Sequence, residues 1–135
     1  MNNSKIVNAL QAAATGAGYD FRTGDDERML TARPPKLPAA LLSLPVLNSV
    51  EGRRHGRADY DIVLRLLDNA AHLSETDRNA LRQRQEAQLL DMLTSLSDTP
   101  FVIAVQNITI APRPFGCEAA GEVSVAAKAR VITCF

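Results

Sequence analysis

Between Arg57 and Asp68 the chain "RADYDIVLRLLD" alternates cleanly. Tyr60, Ile62, Leu64 and Leu66 fall on one side of an extended backbone, and Asp59, Asp61, Val63 and Arg65 fall on the other. A half-buried β-strand has this period of two. Upstream, "VLNSVEG" reads as a second strand, and the intervening "GRRHGR" carries glycines that supply the positive φ of a tight or bulged connection. The pair is a β-hairpin. Beyond it the period changes: Leu81, Leu89, Met92, Leu93 and Leu96 recur at helical spacing, with Arg78, Arg82, Arg84 and Glu86 on the solvated side. Ser74 and Asp77 form a variant of the capping box, with Glu75 and Asp77 at the positive end of the helix dipole. A helix over Glu75 to about Leu96 follows. Two strands close the chain. Phe101 to Val105 is nearly continuously apolar, as in a central strand buried on both faces or one whose second face meets a partner. "GEVSVAAKARVITCF" sets Val123, Val125, Ala127, Ala129 and Val131 against Glu122, Ser124, Lys128 and Arg130, the pattern of a half-buried strand. The irregular "RPFGCEAAG" between them is a candidate loop for reaching a neighbour.

The N-terminal part is less regular. Ser4 can cap a short helix in which Ile6, Leu10, Ala13 or Ala14, and Ala17 share a face and Gly16 and Gly18 mark the end. A short strand is expected near Glu27 to Thr31. After it, four prolines between Pro34 and Pro45 forbid a continuous helix and restrict any strand to an edge or to short pieces, while the apolar residues between them are suited to burial. Hairpin-joined strands with helices between them predict an α+β fold. Its sheet is mainly antiparallel and includes the hairpin. A short N-terminal helix and one long central helix pack on one face, all within a single domain over residues 1–135.

Composition narrows the function classes. A chain of 135 residues is of single-domain size and buries roughly two thirds of the surface its unfolded form exposes. Fifteen basic and fifteen acidic residues cancel, so no global field favours nucleic acid or an anionic membrane. The apolar runs fall short of the ~20 residues a spanning helix needs. "MNNSKIVNALQAAATGAG" lacks the basic-then-apolar grammar of a signal peptide, which reads as a soluble protein of cytosolic origin. Cys117 and Cys134 belong to no CxxC pair; without an export signal they read as one loop thiol and one strand thiol.

No catalytic constellation emerges. His55 and His72 have no companion at a spacing that builds a zinc or nucleophilic site. Asp59 and Asp61 share a strand face, but solvated charges opposite Arg57 or Arg65 are the commoner arrangement. Gly16, Gly18 and Gly24 follow no strand that would make them a phosphate cradle, so no cofactor is assigned. The hairpin tip gathers Arg53, Arg54, His55 and Arg57, yet no aromatic side chain is interleaved with them to stack a base. They are candidate protein-contact residues.

In element order, and in the texture of "LPVLNSVEGRRHGRADYDIVLRLLD", "LSETDRNALRQRQEAQLLDMLTSL", "FVIAVQNITIAP" and "GEVSVAAKARVITCF", the chain resembles the small tail-terminator and neck proteins of long-tailed bacteriophages and prophages. The resemblance implies a non-enzymatic, cofactor-free structural subunit. Such subunits form a ring, usually hexameric, that caps the tail tube and meets the head-completion protein. They assemble in the bacterial cytoplasm and end in the tail or neck of the virion. Another head–tail joining or tail-tube subunit would share these features, and a small-ligand-binding or enzymatic α+β domain is the alternative from a different class.

Overall fold

The computed structural model describes residues 2–24, 36–52, 55–112 and 122–135. Among these residues two helices, α1 (Asn3–Gly16) and α2 (Glu75–Ser97), accompany six strands: β1 (Asp20–Thr23), β2 (Ala39–Leu42), β3 (Val46–Glu51), β4 (Arg57–Asn69), β5 (Val102–Pro112) and β6 (Glu122–Cys134). The expected α+β class holds. The strands form one sheet in the order β1-β2-β4-β6-β5, antiparallel except for β1 on β2. β3 shares the β2 side of β4: β2 pairs with Leu64 to Leu67, and β3 with Arg57 to Asp61.

Helix α2 begins as the sequence predicts. Ser74 is the N-cap, and its hydroxyl accepts the Asp77 backbone N–H at 3.2 Å. The stripe Leu81, Leu89, Met92, Leu93 and Leu96 is buried, and Gln85, which hydropathy alone does not place, lies fully buried within it. Its Nε2 donates to the Val123 carbonyl at 3.3 Å, tying the first half of α2 to the start of β6. Leu81, Ala70 and Val123 make a small apolar cluster at the same end.

Helix α1 starts earlier than expected. Its N-cap is Asn2, not Ser4, and the Asn2 side chain makes no cap because its Nδ2 donates instead to the Cys134 carbonyl at 2.7 Å. The Asn2 N–H donates to the Tyr60 hydroxyl at 3.1 Å, so the start of α1 is clasped to β4 and β6. At the other end Gly18, with φ +90°, lets its N–H reach the Thr15 carbonyl and that of Tyr19 reach Ala14, a Schellman closure. Ala14, not Ala13, completes the buried face with Ile6 and Leu10.

Tyr60, Ile62, Leu64 and Leu66 of β4 and Val125, Ala127, Ala129 and Val131 of β6 meet the helices in the main core. β2 is buried at all four residues: Ala40 and Leu42 join that core, while Ala39 and Leu41 pack with Leu67 on the opposite face. The apolar residues from Ala39 to Leu42 are therefore interior, whereas Leu44, just before Pro45, is not. A strand that sequence did not place there, β1, runs over Asp20–Thr23, and the strand expected over Glu27 to Thr31 lies outside the described residues.

Two expectations are corrected. Phe101 to Val105 does not begin a central strand: β5 is an edge, with Ile103 58 % exposed, because only its Val102 and Val105 side turns toward the helices. Of the two closing strands it is β6, between β4 and β5, that is interior. It is buried on both faces near its ends, where Ser124, Ala126, Ile132 and Thr133 are enclosed, and not half buried throughout. Asp59 and Arg65, expected among solvated strand charges, are likewise buried.

The helix–sheet core sets an expected contrast. Leu89→Ala removes a fully buried side chain and should destabilise the fold by about 2–5 kcal/mol, whereas Leu90→Ala, on the exposed side of α2, should stay within about 0.5 kcal/mol. Urea unfolding of the two variants with an unchanged m-value checks it, and equal losses would mean that α2 does not pack through this stripe.

Candidate docking surface

The hairpin of β3 and β4 is the least covered part of the sheet. All six residues of β3 are exposed. Register explains why. Leu47 lies opposite Tyr60, and Val50 opposite Ala58, so both point to the face on which α1 and α2 pack. Tyr60 and Ala58 are buried there, yet Leu47 remains 43 % exposed and Val50 46 %. The helical layer stops before reaching β3. Val46, opposite Asp61 and so on the other face, and Leu44 just before the strand are also largely exposed. These apolar side chains sit on a strand whose outer edge has no partner strand among the described residues.

Polar groups order the other face of the hairpin. The Arg57 guanidinium donates through Nε and Nη2 to the two Asp59 carboxylate oxygens at 3.1 and 3.2 Å, and the Ser49 hydroxyl from β3 donates to Asp59 at 3.2 Å. Next along the sheet, Asp61 accepts from Asn48 Nδ2 at 2.9 Å and from Arg130 Nε at 3.1 Å. The two ladders join β3, β4 and β6. Hydrogen bonds from Arg57, opposed by burial but helped by the Arg57 charge, hold the Asp59 carboxyl below its ordinary value. The same bonds raise the Arg57 guanidinium.

The tip residues proposed from sequence are placed as follows. His55 is exposed at the turn, and Arg57 is folded back onto Asp59 instead of extending outward. Arg53 and Arg54 lie outside the described residues. Gly52 has φ +90°, as the turn requires. Gly56 serves a different purpose: the Phe135 ring lies against its Cα, where any side chain would collide, and the two residues exchange backbone hydrogen bonds at 3.0 and 2.9 Å. The tip is thus tied to the end of β6.

The apolar residues of β3 were not singled out in the sequence. Their signal was the parity of Val46, Leu47 and Val50, which puts apolar groups on both faces of one short strand. On the opposite margin, β5 exposes Ile103 and Ile108. Among the described residues no group of three or more His, Cys, Asp or Glu side chains could hold a metal ion, and no helix is long and apolar enough to cross a membrane. Comparison with models of known protein families gives no match for the chain, and comparison with curated protein sequences gives none either.

The Asp59 ladder predicts an acid-side effect. Because the folded carboxyl titrates below its unfolded value of 3.8, its stabilisation is complete above that pH and is lost as pH falls through the folded value. Asp59→Asn should therefore lower Tm by a few degrees at pH 7, with the two proteins converging toward pH 2. Parallel Tm curves across that range would show that the pair contributes nothing through its charge.

Proposed function

We propose that this chain is a structural subunit of a long-tailed bacteriophage or prophage particle, of the tail-terminator or neck type, which acts by assembling and not by catalysis. In this reading copies form a ring that caps the tail tube, stops its growth and presents a surface to the head-completion protein. It needs no cofactor, makes no specific contact with nucleic acid, and passes from the host cytoplasm into the virion. One observation carries the reading: β3 exposes every residue, including Val46, Leu47 and Val50, at a sheet edge with no partner strand among the described residues. Contiguous exposed apolar side chains of this kind mark surfaces that are covered in use. The α+β fold and the sequence texture described above add to it.

The genes flanking the one that encodes this chain provide the direct test. They are expected to specify head and tail components, and negative-stain electron microscopy of concentrated protein should show closed rings. A neighbourhood of metabolic genes, together with a protein that remains a 14.6 kDa species, would sink the proposal.

A further inference from the structure

We propose that copies of this chain join head to tail, β3 of one copy docking along β5 of the next; this deepens the assembly reading above and rests on it. The two strands lie at opposite margins of one half of the sheet, β3 outside β4 and β5 outside β6. Among the described residues neither has a partner strand on its outer side. Open edges in soluble monomers are ordinarily guarded by charged residues that repel a second strand. Here that guard is missing. β5 has no charged residue from Val102 to Pro112, and β3 has Glu51 alone, at its end. The ion pairs sit on the broad outer face of the sheet and leave the margins neutral.

A second copy fits both margins with a single kind of contact. Val46, Leu47 and Val50 would be covered by a strand that offers Ile103 and Ile108, apolar against apolar with no opposed charges. Pairing β3 with β3 would leave the charge-free β5 edge open, whereas β3 with β5 closes both. Such a contact joins unlike surfaces, so it propagates from copy to copy and ends only when a ring closes. Register is limited by the irregularities already in the two strands, at Asn48 in β3 and at both Ile103 and Asn107 in β5.

Complementation between blocked edges tests this directly. V46K/V50K blocks β3 and I103K/I108K blocks β5, and Lys at these exposed positions buries no charge. L90K, on the exposed side of α2, is the control. By light scattering at matched high concentration, wild type and L90K should run heavier than 14.6 kDa, and each edge variant alone should run at 14.6 kDa with an unchanged far-UV circular dichroism spectrum and a cooperative melt. An equimolar mixture of the two edge variants should form a dimer of about 29 kDa, twice 14.6 kDa, because the free β5 of one meets the free β3 of the other. A mixture that stays monomeric, or edge variants that assemble like wild type, overturns the contact. If wild type and the edge variants assemble equally, assembly stands without these edges. If wild type never exceeds 14.6 kDa, the contact fails whatever the gene neighbourhood shows.

Discussion

The structure depends on one antiparallel ladder. β4 and β6 pair over thirteen consecutive positions, from Arg57 with Cys134 to Asn69 with Glu122, without a bulge. Every other strand attaches to this ribbon, directly or through β2: β2 and β3 to the free side of β4, and β5 to the free side of β6. The composition of the pair explains how it accepts a helix. Large residues of β4 lie opposite small ones of β6, Ile62 opposite Ala129 and Leu64 opposite Ala127. That relief lets Leu89, Met92, Leu93 and Leu96 of α2 enter the space beside the alanines and share one core with both strands.

The ladder also fixes what remains uncovered. The helical layer packs against β1, β4, β5 and β6, and its cover ends short of β3. Because β3 slips by one residue between Leu47 and Ser49, both Leu47 and Val50 fall on the apolar side of the sheet, which continues through them after the helices have ended. The exposed apolar strip is therefore a consequence of sheet width exceeding helix cover. It is this mismatch, and no arrangement of reactive side chains, on which the functional proposal stands.

Much of the fold was legible because period and capping agreed. The alternation of β4, the Ser74 cap and the α2 stripe each placed an element within a residue or two. Failures arose where burial is decided by partners distant in sequence. A run such as "FVIAV" has the same texture in a central strand as in an edge strand whose exposed side awaits cover, so the sequence leaves both open for β5 and the sheet order excludes the first. β6 has the alternation of a half-buried strand, but Ser124, Ala126 and Ile132 on its second face are enclosed by packing that the local sequence does not encode. By residue type Ser4 and Asn2 are equally good caps, and what decides between them is not local: the Asn2 amide is held by Cys134, 132 positions away. Of the candidate contact residues, local sequence found the basic tip because arginines stand out in composition. It passed over Val46, Leu47 and Val50 because apolar residues in a strand are ordinarily assumed to be interior.

Exposed apolar edges carry a risk of indiscriminate pairing, and the details of these edges bear on how that risk is contained. Asn107 has φ 55°, a left-handed conformation that Asn tolerates better than most residues, and the ladder slips there between Gln106 and Thr109. β3 slips similarly between Leu47 and Ser49. A bulge breaks the regular row of outward N–H and C=O groups and bends the strand, so an arbitrary flat strand cannot zip along the whole margin. Only a partner whose own irregularity comes into step can use more than a few residues of it. The polar ladders Arg57–Asp59–Ser49 and Arg130–Asp61–Asn48 add a second constraint, because they stiffen the hairpin from its outer face and keep β3 in one register on β4. An edge that is apolar, tied from behind and irregular at fixed positions has the physical properties of a selective joint, whereas a long, flat and mobile edge would be an aggregation site.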